Sequence, residues 1–187
     1  MKRLLRHVPN TLSAFRLLAA PAVAFFILQG ADSAAFVVFV LAGISDALDG
    51  YLAKTFAFTS RFGAMLDPVA DKLLMLASFL TLTVVGQIPW WLTVVVIGRD
   101  VAIVTGVVMA WVLSAPLKIR PLVAGKASTV VQVVYVALVL ALAAFGLKMY
   151  VLQGFWAFVV VLFAIWSLLA YALLWLRAVT TRPANAG

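Results

Sequence analysis

Five aspartates sit where a polypeptide least tolerates them. Asp46, Asp49, Asp67, Asp71 and Asp100 lie inside otherwise apolar stretches, and with Asp32 they make up the whole acidic complement of a chain that has no Glu. A charge within a bilayer costs several kcal/mol, about 2.5–3.5 on insertion scales, so an intramembrane carboxylate is a functional hypothesis by default. Asp46 and Asp49 are three residues apart, and Asp67 and Asp71 four apart. On helices both spacings put each pair on one face. Four carboxylates converging in a low dielectric repel one another, so either some of them hold protons or cations neutralise them. Divalent metal is the simplest source of that charge. Oxygen ligands, with no Cys in the chain and no His nearby, favour Mg²⁺, Mn²⁺ or Ca²⁺ over zinc. Two such ions bridged by shared carboxylates would clamp the phosphoryl oxygens on both sides of an in-line displacement. On the residues alone two other roles stay open. The acids could form buried salt bridges with Lys54, Arg61, Lys72 and Arg99, or they could line the cation site of an ion-coupled membrane transporter.

The elements that must position these acids follow from composition. The 187-residue chain is 66% hydrophobic and 11% charged, with a mean hydropathy of +1.18, whereas a soluble domain is about half apolar and a quarter charged. The excess must face lipid. Runs of about 20 apolar residues at 11–29, 33–53, 62–85, 90–113, 122–146 and 151–176 predict an all-α integral membrane protein. Its six transmembrane helices would form one bundle, a single domain over residues 1–187. Placing the N-terminus in the cytoplasm puts Lys2, Arg3, Arg6, Lys54, Arg61, Lys118, Arg120, Lys126, Arg177 and Arg182 on that side, against Lys148 on the other. The positive-inside rule therefore predicts cytoplasmic termini. Arg16 and Pro21 interrupt the first apolar run and five more runs follow, so a retained helix is expected rather than a cleaved signal peptide. The net charge of +8 is explained by anionic lipid headgroups and calls for no nucleic acid. Without Cys there is no disulfide and no thiolate chemistry.

Depth follows from helix rise. Asp49 lies five residues before Lys54 and Asp67 six residues after Arg61. At 1.5 Å per residue the two pairs face each other roughly 8–12 Å below the cytoplasmic ends of their helices. Gly50 and Gly63 offer small surfaces for close helix approach.

Residues 46–71 read D-x-x-D-G-x-x-A-K-x8-G-x3-D-x3-D. This resembles the signature of the CDP-alcohol phosphatidyltransferases, integral membrane enzymes that move a phosphatidyl or similar group from a CDP-linked donor to an alcohol. One position departs from the pattern: Lys54 stands where the family usually has Arg, which keeps the charge but loses the bidentate fork. The resemblance implies that Asp46, Asp49, Asp67 and Asp71 hold divalent metal, Mg²⁺ or Mn²⁺ and two ions, and that Asp71 also takes the proton of the attacking hydroxyl. Gly50, Lys54 and Ser60 match positions that contact the CDP part of the donor, CDP-diacylglycerol, from which CMP would leave. The family also implies a homodimer.

The likeness extends beyond the signature. His7-Val8-Pro9-Asn10-Thr11-Leu12-Ser13, Arg16 and Pro21, and the run Gly125-Lys126-Ala127-Ser128-Thr129-Val130-Val131-Gln132, resemble the polyglycerophospholipid branch of that family. Gly98-Arg99-Asp100-Val101, with Val107 where a second Arg would serve a phosphomonoester acceptor, favours phosphatidylglycerol as acceptor and cardiolipin as product. So do Leu41-Ala42-Gly43 and Ile119-Arg120-Pro121. Glycerol 3-phosphate is the alternative acceptor. Arg99, Lys126 and Arg120 are the candidates for the acceptor phosphate. Against this, Arg99 could pair locally with Asp100, and the positive-inside rule suffices for Lys126, Arg120 and Arg16. The lack of an organellar targeting extension leads us to expect a bacterial inner membrane, with the active site facing the cytoplasm.

Overall fold

The structure is a computed structural model. It describes the backbone of residues 8–56, 61–112 and 122–180 and the side chains of residues 15–47, 69–109, 112 and 122–176. Within these limits the chain is all-helical: α1 Val8–Leu28, α2 Asp32–Phe56, α3 Arg61–Val84, α4 Trp90–Val112, α5 Val123–Ala144 and α6 Tyr150–Thr180. The six helices fall on the six apolar runs. Among the described residues, three of them contain segments long and apolar enough to cross a membrane, Trp90–Met109, Val123–Ala144 and Tyr150–Leu176. The chain is thus an integral membrane protein of the all-α class. Many large apolar side chains face outward, as a lipid-embedded chain requires, and small residues share the helix contacts. On α1, Ala19 and Ala20 are buried, whereas Leu18 is 69% and Phe25 58% exposed.

Two compact units share the chain. The first comprises α1, α2 and α3 with Val136–Met149, the second Trp90–Tyr135 with α6. In the first unit α1 packs against both α2 and α3. The buried positions form one stripe on each helix: Arg16, Ala19, Ala20, Val23 and Ile27 on α1, Ala35, Phe39 and Ala42 on α2, and Ala70, Leu74, Ser78 and Leu82 on α3. The sets repeat at three or four residues, the spacing of a single helix face. Hydroxyls within α3 are satisfied by the helix itself. Ser78 Oγ donates to the Leu74 carbonyl at 2.8 Å, Thr81 Oγ1 to Ala77 at 2.7 Å and Thr83 Oγ1 to Phe79 at 2.8 Å, which spares each of them an unmet donor in an apolar setting. At the start of α2, Asp32 accepts from Gln87 Nε2 at 3.1 Å, and Ser33 Oγ donates to the Ala144 carbonyl at 3.3 Å.

Three helices in this unit end in the same way. Gly30, Gly86 and Gly146 have φ of 69°, 76° and 66°, and the residue after each donates back across the turn: Ala31 to Phe26, Gln87 to Leu82 and Leu147 to Leu142. This is the left-handed C-cap that closes a helix and reverses the chain in a few residues. A Cβ in this conformation costs about 1–2 kcal/mol. Gly86→Ala is therefore expected to lower the melting temperature in detergent by a few degrees, although nothing lies within 4 Å of the added carbon. Gly43→Ala, mid-helix in α2 and equally open, is the control. It should leave stability unchanged or gain up to about 1 kcal/mol from helix propensity.

Candidate active site

The buried stripe of each helix in the first unit leads to a charged residue. From the α1–α2 turn, Arg16 lies about 18 Å down α1 and Asp46 about 21 Å along α2. From the α3–α4 turn, Asp71 lies about 20 Å down α3. Equal depth and a shared inward face bring the three side chains together. Arg16 Nη1 donates to Asp46 Oδ1 at 2.6 Å and also to Asp71 Oδ1. The side chain of Arg16 is 1% exposed, whereas those of Asp46 and Asp71 are 52% and 44% exposed. The cation is sealed beneath, and the carboxylates stand above it with accessible surface.

The first and last aspartates of the 46–71 pattern are thus neighbours. The helical positions of Asp49 and Asp67 lie one turn further along α2 and one turn earlier on α3. Their side chains, and those of Gly50 and Lys54, are outside the described residues, as are Ser60 and Arg120 altogether. Among the described residues no three Asp, Glu, His or Cys side chains gather, and only two of the four aspartates are described. What these two show bears on whether a metal suits the site. Two hard-oxygen carboxylates from different helices already converge on one positively charged nitrogen, so the donor set fits a hard divalent cation. Residue spacing alone does not pair Arg16 with these acids. Its signal was present all the same, since it shares the α1 stripe with Ala19, Ala20, Val23 and Ile27.

The second unit holds a separate buried cation. Arg99, on α4, is 7% exposed. Its Nη1 donates to Asp100 Oδ1 at 2.6 Å, and its Nη2 donates to Ser167 Oγ on α6 and, at 3.5 Å, to the Gly125 carbonyl on α5. Tyr171, one turn after Ser167, accepts from the Leu122 amide at 3.5 Å. Gly125 is where these groups crowd, because a Cβ there would lie 3.0 Å from Tyr171 Oη and 3.5 Å from Arg99 Nη2. The Gly125–Gln132 run therefore has a structural meaning. Gly125, Ser128 and Gln132 are buried, Gln132 Nε2 donates to Ser128 Oγ at 3.4 Å, and Lys126 is exposed in the first turn of α5. Of the two roles open to Arg99, its present contacts are those of the local pair with Asp100. Next to this network, α4 and α6 enclose an apolar cavity of about 460 Å³ lined by Ala102, Ile103, Gly106, Leu168, Tyr171 and Trp175 among others.

The class is that of an all-helical membrane protein in which two carboxylates converge on one buried guanidinium. A family model narrows it: that for CDP-alcohol phosphatidyltransferase matches residues 6–182. The chain belongs to this family. It is similar to the cardiolipin synthase (CMP-forming) of Rattus norvegicus, 34% identical over 155 residues, which cover 74% of this chain and 51% of that protein. It is similar also to the human protein of the same name, 33% identical over 168 residues, 81% of this chain and 56% of that one. A shorter match, 44% identical over 88 residues, covers 44% of this chain and 40% of the CDP-diacylglycerol--glycerol-3-phosphate 3-phosphatidyltransferase of Cereibacter sphaeroides. The chain spans about half the length of the two cardiolipin synthases.

Proposed function

We propose that this protein transfers a phosphatidyl group from CDP-diacylglycerol to an alcohol, releasing CMP, in a metal-dependent reaction of phospholipid biosynthesis. One observation carries the proposal. In a chain matched by the family over residues 6–182, the aspartates that open and close the signature meet around a single guanidinium nitrogen. Asp46, Asp49, Asp67 and Asp71 would hold Mg²⁺ or Mn²⁺, which when bound neutralises the donor pyrophosphate. Asp71 takes the proton of the acceptor hydroxyl as that oxygen bonds to the phosphatidyl phosphorus. The bond from phosphorus to the CMP oxygen then breaks, and Lys54 stabilises the charge on the departing phosphate. Gly50 and Ser60 contact the donor's CDP part. Most of the rate comes from positioning and fixed charge, as in phosphoryl transfer generally.

All six helices cross the membrane in this proposal, with both termini in the cytoplasm, the site facing that side, and the chain forming one domain that pairs as a homodimer. A bacterial inner membrane is the proposed home. Lys126 and Arg120 are the proposed contacts of the acceptor phosphate, while Arg99 holds the start of α5, from which Lys126 projects. Family membership favours a transferase over the ion-coupled transporter that the aspartates alone left open. Phosphatidylglycerol is the proposed acceptor, because the longer matches are to proteins named cardiolipin synthase. The purified protein with CDP-diacylglycerol and Mn²⁺ is to be offered phosphatidylglycerol and glycerol 3-phosphate in parallel, with lipid products identified by mass spectrometry. Cardiolipin is the expected product. Phosphatidylglycerophosphate in its place would overturn the choice of acceptor.

A further inference from the structure

We infer that Arg16 is a positioning residue that holds two of the metal-binding carboxylates from beneath and remains in place when metal is bound. This rests on the metal-dependent transferase function proposed above. Three observations support it. A single nitrogen, Nη1, reaches Oδ1 of both Asp46 and Asp71, so one group on α1 fixes the separation of two carboxylates carried by α2 and α3. The side chain of Arg16 is 1% exposed and lies on the stripe that continues through Ala19, Ala20 and Val23. Asp46 and Asp71 are about half exposed, and each bond to Arg16 uses one carboxylate oxygen. Both carboxylates can thus be reached by a cation arriving from the open side.

A guanidinium beneath a metal site has two possible consequences, of opposite sign. As a competitor it would occupy the ligands and leave when metal enters, so removing it would tighten metal binding. As a clasp it prevents the two carboxylates from splaying apart and fixes which oxygens face outward, so removing it weakens metal binding. Burial decides for the clasp, since a buried charge is costly to separate from its carboxylate partners. Outer partners that orient metal ligands typically contribute 10–100-fold to metal affinity. The same contact pins Asp71, the proposed base, to α1.

The test uses the full chain, stripped of metal and titrated with Mn²⁺ while free ion is followed by electron paramagnetic resonance. Arg16→Gln, which removes the charge and the shared donor, is expected to weaken Mn²⁺ binding 10–100-fold. Arg16→Lys, which restores a buried cation able to donate to both carboxylates, is expected to recover part of that loss. Tighter Mn²⁺ binding in either variant would mean that Arg16 is a competitor, and unchanged affinity in both would mean that it acts on the fold alone. Either result overturns the inference. Failure of wild-type protein to bind Mn²⁺ would instead sink the metal-dependent function on which it rests. Should neither variant fold, the wild-type structure with Mn²⁺ decides, because Nη1 must still lie within hydrogen-bond distance of both Asp46 and Asp71.

Discussion

Replacing Asp71 by Asn is expected to lower CMP release by about 10³-fold or more while leaving the protein folded. The substitution keeps the shape of the side chain and an oxygen able to accept from Arg16 Nη1, so the contact with α1 persists in weakened form. Asp71 is 44% exposed, and no tightly packed volume is disturbed. Lost are the negative charge and the capacity to take a proton. A positioned general base typically contributes 10²–10⁴-fold, and Asp71 is in addition one of the proposed metal ligands. Asp46→Asn removes a ligand and leaves the base, so its loss should be smaller. The comparison is made by following CMP release in variants that match the wild type in detergent melting temperature. An Asp71→Asn enzyme within about tenfold of wild type would remove Asp71 from the role of base.

The second large effect concerns stability. Arg99→Leu should destabilise the protein by about 3–5 kcal/mol, the usual cost of removing one partner of a buried ion pair. The change leaves the Asp100 carboxylate without the guanidinium that lies 2.6 Å from it, Ser167 Oγ without its donor and the Gly125 carbonyl without the Arg99 contact. For a chain of this length that corresponds to a melting temperature lower by roughly 10 °C. Arg99→Lys should fall between, because a single ammonium lacks the planar fork that serves Asp100, Ser167 and Gly125 at once. Arg99→Leu combined with Asp100→Leu should recover much of the loss, since two apolar residues often replace a buried ion pair without penalty. If the single Arg99→Leu variant melts within a degree or two of wild type, the Arg99 network is not what holds α4, α5 and α6 together in the second unit.

The helices were legible from hydropathy, and their ends less so. The apolar runs at 33–53 and 62–85 anticipate α2 and α3 to within three residues at every end, because runs of about twenty mostly apolar residues have the length of a helix rather than of a strand. The run at 151–176 stops short of α6, which continues to Thr180, since hydrogen bonding along a helix outlasts the hydrocarbon that selects its apolar side chains. The convergence of Asp46 and Asp71 was legible from spacing and depth. Arg16 was not. A lone arginine near a basic N-terminus is well explained by the positive-inside rule, and only its phase relative to Ala19, Ala20 and Val23 marks it as inward-facing. Ser167 and Tyr171 gave no signal, because a hydroxyl in an apolar helix can satisfy itself on its own backbone and need not reach for a neighbour.

The most direct test is CMP release by the purified, reconstituted protein given CDP-diacylglycerol and phosphatidylglycerol. If four aspartates hold the metal on which phosphatidyl transfer depends, CMP accumulates with Mn²⁺ or Mg²⁺, stops on addition of a chelator and resumes when metal is restored. CMP release indifferent to the chelator, or none from CDP-diacylglycerol with any alcohol offered, would contradict it.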